Sequence, residues 1–361
     1  MSRAARALID CDALQHNLEQ VRIAAPGSRV LAVIKANGYG HGIVPVARAL
    51  AGADAFGVAC VEEAAELREA GIDAPLVLLE GVFDAGELAY AAGHDLQIVV
   101  HSAEQLVLLE AASPARPLTV WLKVDSGMHR LGFAPEHVAG AWARLQACPA
   151  VARGVRLMTH LARADRRDTA AIHPQLDVFA EAVSELEGER SIANSGAILA
   201  CPASHQQWVR PGIMLYGASP FVDGDPFADN LRPAMTLTTR LIAVNRFRRG
   251  DAVGYGGAWT CPEDMPVGVA AIGYGDGYPR HAATGTPVLV NGRRVPLIGR
   301  VSMDMICLDL RGQPEAKAGD PVVLWGDGLP VDEIARHAGT IPYELLCRVT
   351  PRVHFAEQGP R

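Results

Sequence analysis

No charge of either sign dominates this chain. Its 361 residues carry 33 Lys and Arg against 40 Asp and Glu, a net charge of -7. That mild acidity argues against nucleic acid or an anionic membrane surface as a partner. A small anionic ligand stays open, because a few local cations can hold one. Cysteine is sparse: Cys11, Cys60, Cys148, Cys201, Cys261, Cys307 and Cys347 are scattered, odd in number and never paired as CxxC. They read as reduced thiols of a cytoplasmic protein. There is no HExxH and no other cluster with metal-ligand spacing, so no metal is expected. No apolar window approaches a membrane span. The stretch MSRAARALIDCDAL has no apolar run long enough for a signal h-region, and Asp10 and Asp12 come early.

What is present is ordinary in bulk and specific in detail. Apolar residues make up 49% and charged residues 20%, and the length suits two domains. Up to about residue 235, short apolar runs alternate with helical patterns. Strand candidates are VLAVIKA (30–36), AFGVA (55–59), PLVLLE (75–80), LQIVV (96–100), LTVWLKVD (118–125), GVRLMTH (154–160), RSIANS (190–195) and IMLYG (213–217). Continuous apolar runs are what strands covered on both faces require. Eight such units predict a (β/α)8 barrel over residues 1–235, with a doubly wound open sheet as the alternative. Roughly the first ten residues are expected to pair with the second domain.

From residue 236 the texture changes to β-branched runs broken by Gly and Pro. Asn291–Gly292 between VLV and RRVPLI is a hairpin signal. Residues 236–361 therefore predict a mostly-β domain, with EIARHAG (333–339) and the stretch after Tyr343 helical.

One segment carries a reactive group. In VIKANGYGHG (33–42), Lys35 closes an apolar run and is followed by Gly38, Gly40 and Gly42. Barrel enzymes place catalytic groups at the C-terminal ends of strands. A lysine amine there can form a Schiff base, though a lysine flanking a turn looks the same.

The segment resembles the cofactor-lysine motif of the alanine racemases, pyridoxal-phosphate isomerases of fold-type III. The resemblance continues in order through FGVACVEEAAELREAGI (56–72), WLKVDSGMHRLGF (121–133), LMTHLARAD (157–165), ANSGA (193–197), RPGIMLYG (210–217), VGYGGAWT (253–260), GYGDGYPR (273–280), GRVSMDM (299–305) and PYELLCR (342–348). It implies a TIM-like barrel followed by a β domain. It also implies a homodimer in which the β domain completes the partner's site.

The same resemblance implies roles. Lys35 carries pyridoxal 5'-phosphate and is base for the D face of the substrate; Tyr255, from the partner subunit, is base for the L face. Tyr39, Asn194, Ser195, Gly212, Ile213 and Tyr343 match residues around the cofactor, mostly at its phosphate. Arg210 matches the donor to the pyridine nitrogen. An arginine does not give up its proton, so that nitrogen stays an acceptor. His160 and Arg130 match residues behind the tyrosine and the cofactor oxygen, and Met303 one whose backbone meets the substrate carboxylate. Lys123 matches a lysine carbamylated in many members, although pairing with Asp125 is the plainer reading. Arg280, Arg300 and Asp304 match the entrance. Two positions depart from the pattern. Ser191 stands where some members have a histidine supporting the pyridine arginine, and His129 where others have glycine.

The implied reaction interconverts L- and D-alanine, for D-alanine supply to peptidoglycan or for alanine catabolism. Rivals are a broad-specificity or serine racemase of the same fold and a non-catalytic pyridoxal-phosphate carrier. The carriers are barrels alone, so residues 236–361 weigh against the second.

Overall fold

A computed structural model describes residues 4–359; the outermost residues of the two expected domains, 1–3 and 360–361, lie outside the described residues. The described chain falls into two compact units.

One unit, residues 15–215 with 220–224, is a closed barrel of eight parallel strands, labelled here after an earlier strand β1 (Arg6–Asp10). They are β2 (Arg29–Val33), β3 (Ala55–Val58), β4 (Leu76–Leu78), β5 (Leu96–Val100), β6 (Val120–Lys123), β7 (Arg156–Met158), β8 (Arg190–Asn194) and β9 (Trp208–Arg210). Arg29 pairs with Trp208 to close the ring. Seven strands each send one residue into a single cluster: Leu31, Ala55, Val77, Val99, Trp121, Met158 and Trp208. Within it, the Trp121 and Trp208 rings meet edge to face at 5.5 Å. The Arg156 guanidinium lies over both rings, and Glu189 takes Arg156, Arg29 and the Trp208 indole N–H. Packing fills that strand-start end, and barrel enzymes place their chemistry at the opposite mouth.

The expected eighth strand is a correction. IMLYG is not a strand; Ile213–Tyr216 forms a 3-10 turn closed by Leu215 N–H on Gly212 C=O at 2.9 Å. The eighth strand is instead Trp208–Arg210. Pro211 has no N–H to continue a ladder. Ile213, Met214 and Leu215 are fully buried, and a buried turn and a buried strand have the same apolar composition.

The other unit contains the stretch ending at Leu14, residues 216–219 and the chain from Asp225 onward. Its strands are β10 (Met235–Phe247), β11 (Ala252–Val253), β12 (Trp259–Thr260), β13 (Met265–Ala270), β14 (Pro287–Val290), β15 (Arg293–Ile298), β16 (Ile306–Asp309), β17 (Pro321–Trp325) and β18 (His354–Gln358). The large sheet runs β13-β16-β15-β14-β17-β10-β1-β18, and the far half of β10 also pairs with β13. β14 and β15 form the hairpin signalled by Asn291–Gly292, whose φ values of 52° and 76° are those of a type I′ turn. Short helices Val331–Ala338 and Pro342–Cys347 follow. Among the described residues no helix is long and apolar enough to cross a membrane, and no group of His, Cys, Asp and Glu could hold a metal ion.

Candidate active site

Lys35 stands two residues past the end of β2, at the C-terminal mouth of the barrel. The chain then turns left-handed: Ala36, Asn37, Gly38 and Tyr39 have φ between 50° and 61°. Three of these four carry a Cβ, for which that region costs roughly 1–2 kcal/mol each. Local bonds hold them there. Glu63 accepts the Ala36 N–H at 2.6 Å and, with its other oxygen, the Ala59 N–H at 2.8 Å. Asn37 accepts the Ile43 N–H at 2.9 Å. The buried His41 ring bonds the Gly38 and Tyr39 carbonyls, and burial pushes its pKa down to about 4, so the ring is neutral. The strain sets where the Lys35 and Tyr39 side chains leave the barrel rim.

Tyr39 meets the end of β9. An ideal Cβ on Gly212 would stand 2.6 Å from the Tyr39 hydroxyl, so only glycine leaves that space. Ser195, just past β8, accepts the Gly212 N–H at 2.9 Å and the Met214 N–H at 3.4 Å. Ile213 lies between these two amides, fully buried. Asn194 caps the short helix Ser195–Ala200 by accepting the Ala197 N–H at 3.2 Å, and donates to Leu161 C=O at 3.4 Å. The ends of the first, seventh and eighth barrel strands thus meet in a small, amide-lined recess. Such recesses suit oxyanions.

Arg210 lies across the interior of the same mouth, buried. It donates to Ser191 Oγ at 2.7 Å, to the carbonyls of Thr159 and Ile192 at 2.5 and 3.2 Å, and to His160 Nδ1 at 3.4 Å. Burial lowers its pKa only to about 10, so the guanidinium stays charged. His160 is pushed down to about 3 by burial and by the cations Arg210, Lys123, Arg130 and Lys35, so it is a neutral acceptor for Arg210. Ser191 therefore replaces the absent histidine as a direct partner of the arginine.

Lys123 ends β6, buried, and does not pair with Asp125. The Asp125 carboxylate instead gathers the N–H groups of Gly127, Met128 and His129 and the His129 ring. Burial, then the nearby Arg210, Arg130 and Lys35, lower the Lys123 pKa to about 8. His129 takes φ of 55°, a left-handed conformation that glycine adopts without strain. The Asp125 turn delivers the exposed Arg130.

The remaining expected residues lie on the β unit. Tyr255, 68% exposed, sits in a turn between β11 and β12. An ideal Cβ on the next residue, Gly256, would lie 3.4 Å from the Arg300 guanidinium, so that cation packs against the turn. Met303 is 52% exposed, and its C=O accepts the Gly275 N–H at 2.9 Å. Asp304 pairs with Arg352. Arg280 is exposed, and Tyr343 stands half-buried at the start of the helix Pro342–Cys347.

Several residues of the barrel mouth carry no sequence signal. Glu63 reads as an ordinary helix-surface acid, and Thr159 contributes only a carbonyl to Arg210. His101 bonds Glu80 C=O at 3.1 Å, and Gln105 ties Glu80 and Val82 by their carbonyls. An amphipathic pattern could have marked Gln105 alone, as a polar residue on the buried side of its helix.

Comparison with known proteins gives one answer over both units. Residues 9–220 match the model "Alanine racemase, N-terminal domain" and residues 234–356 the model "Alanine racemase, C-terminal domain". The chain is 59% identical over 348 residues to an alanine racemase of Nitrosococcus oceani, covering 96% of this chain and 98% of the relative. It is 52% identical over 352 residues to "Alanine racemase, biosynthetic" of Escherichia coli, covering 97% and 98%. The crystal structure of biosynthetic alanine racemase from Pseudomonas aeruginosa superposes with a TM-score of 0.96 at 47% identity, covering 99% of this chain and all of that one. With both models matched and relatives this similar along nearly its whole length, the chain belongs to the alanine racemase family.

Proposed function

We propose that this chain interconverts L- and D-alanine with pyridoxal 5'-phosphate carried by Lys35, and supplies D-alanine for peptidoglycan. The observation that carries the reading is the convergence at one barrel mouth of a lysine amine, an oxyanion recess and a buried arginine. The names and extent of the relatives support the same substrate, and the Escherichia coli relative is named as biosynthetic.

The residues fit pyridoxal phosphate. Ser195 Oγ and the Gly212 and Ile213 amides, with the hydroxyls of Tyr39 and Tyr343, would hold the phosphate. The missing Cβ at Gly212 lets the Tyr39 hydroxyl come close to the Gly212 backbone, which groups a hydroxyl with backbone amides as oxyanion sites do. Asn194 would hold the loop beside it. Arg210, fixed by Ser191 and by carbonyls, would donate to the ring nitrogen; neutral His160 would steady that arginine. When bound, the cofactor supplies an electron sink that makes the substrate α-proton removable. Because Arg210 keeps its proton, it moderates that sink and so limits side reactions.

Two bases then act on opposite faces of the α-carbon. The Lys35 amine would remove or return the proton on the D face. Tyr255 would do the same on the L face, taking the proton as phenolate and returning it as the hydroxyl, contributed by the partner of a homodimer whose β domain, residues 236–361, completes the barrel site formed within residues 1–235. The Met303 backbone and Arg130 bind the substrate carboxylate. Arg280, Arg300 and Asp304 line the approach. Lys123 is carbamylated: its lowered pKa leaves far more free amine to take up carbon dioxide than an ordinary lysine has, and the resulting anion orients Arg130. The seven free cysteines support a cytoplasmic location.

A racemisation assay over alanine, serine, lysine and arginine tests this. Turnover confined mainly to alanine is expected; comparable rates on the basic substrates would sink the alanine reading and favour a broad-specificity racemase.

A further inference from the structure

Three segments of the β unit lock around one arginine. Arg352 donates through Nη2 to Asp304 at 2.5 Å, and its Nε lies 3.6 Å from the Asp276 carboxylate. Asp276 is fully buried, and its second oxygen accepts the Gly273 N–H at 2.9 Å. Burying a carboxylate is costly unless it is paired or hydrogen-bonded, and Arg352 is a cation within reach of this one. The same two acids anchor different loops. Asp276 sits in the turn Tyr274–Asp276, Asp304 in the loop that carries Met303. Backbone bonds join these loops directly: Tyr274 N–H to Ser302 C=O at 3.0 Å and Gly275 N–H to Met303 C=O at 2.9 Å. Thr350 closes the third side, donating from N–H to Asp276 C=O at 3.1 Å and from its hydroxyl to Gly275 C=O at 3.0 Å. The packing leaves no slack. A Cβ on Gly275 would overlap Arg352 Nη1 and stand 3.1 Å from Met303 C=O. Within this brace Met303 itself stays half exposed, and among the described residues nothing accepts its N–H.

We propose that Arg352 is a positioning residue for racemisation: by bridging Asp276 and Asp304 it fixes the Met303 backbone where a substrate carboxylate is to be received. This rests on the reading of Met303 as the carboxylate contact. Arg352 touches neither substrate nor cofactor. It sets the direction of an N–H that does, and a donor displaced by a fraction of an ångström binds a carboxylate more weakly without changing the proton-transfer groups.

The test compares the cofactor-loaded wild type with Arg352→Ala and Arg352→Lys. Steady-state rates are measured in both directions, and propionate serves as a probe carrying the carboxylate alone. Its binding is followed through the absorbance of the bound cofactor. Arg352→Ala is expected to raise KM for both enantiomers by about tenfold, with kcat changed by less than about threefold. Propionate binding should weaken by a similar factor. Arg352→Lys keeps a charge for Asp276 but cannot bridge both acids, and should fall between the two. Unchanged KM and propionate affinity in Arg352→Ala would overturn the proposal. So would a drop in kcat that merely follows the fraction of folded protein. If Arg352→Ala does not fold, Arg352→Lys decides: propionate binding equal to wild type overturns it. Failure of the wild type to racemise alanine would sink the substrate reading, while the propionate comparison still reads Arg352.

Discussion

Replacing Gly212 by alanine tests the recess at its tightest point. The new Cβ would stand 2.6 Å from the Tyr39 hydroxyl and 3.3 Å from Cζ, where ordinary contact starts at 3.4 Å. The hydroxyl must therefore retreat by about 0.8 Å. Tyr39 is only 9% exposed, so it has little room. Gly212 cannot yield easily either, because Ser195 holds its N–H at 2.9 Å. Overpacking of this kind costs about 1–3 kcal/mol. The urea midpoint of the cofactor-free protein should fall accordingly, and cofactor affinity, titrated by absorbance, should weaken about tenfold or more. Tyr39→Phe removes the atom that the methyl strikes. In that background the stability penalty of Gly212→Ala should shrink, giving a coupling of about 1 kcal/mol or more. An equal penalty in both backgrounds, or none in either, would refute the geometry on which the recess is built.

Three other outcomes follow from the same site. Ser191→Ala takes the 2.7 Å acceptor from a buried guanidinium, which should cost about 1.5–3 kcal/mol and shift the bound-cofactor spectrum; an unchanged thermal midpoint and spectrum would remove Ser191 from the support of Arg210. The folded-state pKa values of His41 and His160, about 4 and about 3, lie below the usual 6.5. Their stabilising contributions are therefore complete above pH 6.5 and decline as pH falls, by up to about 1.4 kcal/mol per unit for each ring. Asp332, raised to about 6 by burial, works in the opposite sense, since its contribution is lost as pH rises through that value. With two groups against one, the urea midpoint should be lower at pH 5 than at pH 7, and the reverse order would contradict the assignment of neutral rings. Carbon-13-labelled bicarbonate should give a carbamate signal that disappears in Lys123→Ala; no signal in the wild type would leave Lys123 an unmodified amine.

The fold was legible where burial is continuous over a whole strand. LQIVV needs no tertiary information to be read as a covered strand, and Asn291–Gly292 carries its own turn geometry. The eighth strand was not legible, because Trp208–Arg210 offers three residues while the neighbouring buried turn IMLY offers four apolar ones. The left-handed course after Lys35 was half visible. Gly38 and Gly40 announce it, but Ala36, Asn37 and Tyr39 adopt it only because Glu63, about 27 positions away, takes the Ala36 amide. The site divides in the same way. Local signals made Lys35 a candidate, yet the partners of Arg210 come from chain positions up to 51 residues away and from carbonyls that any residue supplies. Ser191 looked like a lost support, and the structure makes it a near one. The chemical roles came from the family resemblance, since no spacing in the chain distinguishes Arg210 or Tyr255 from an ordinary surface residue.

The central claim is that two different bases serve the two faces of the substrate. Solvent-deuterium exchange at the α-carbon, measured separately from L- and D-alanine at early times, tests it most directly. Tyr255→Phe should lose exchange mainly from L-alanine while keeping exchange from D-alanine. Equal loss from both enantiomers would contradict the two-base account.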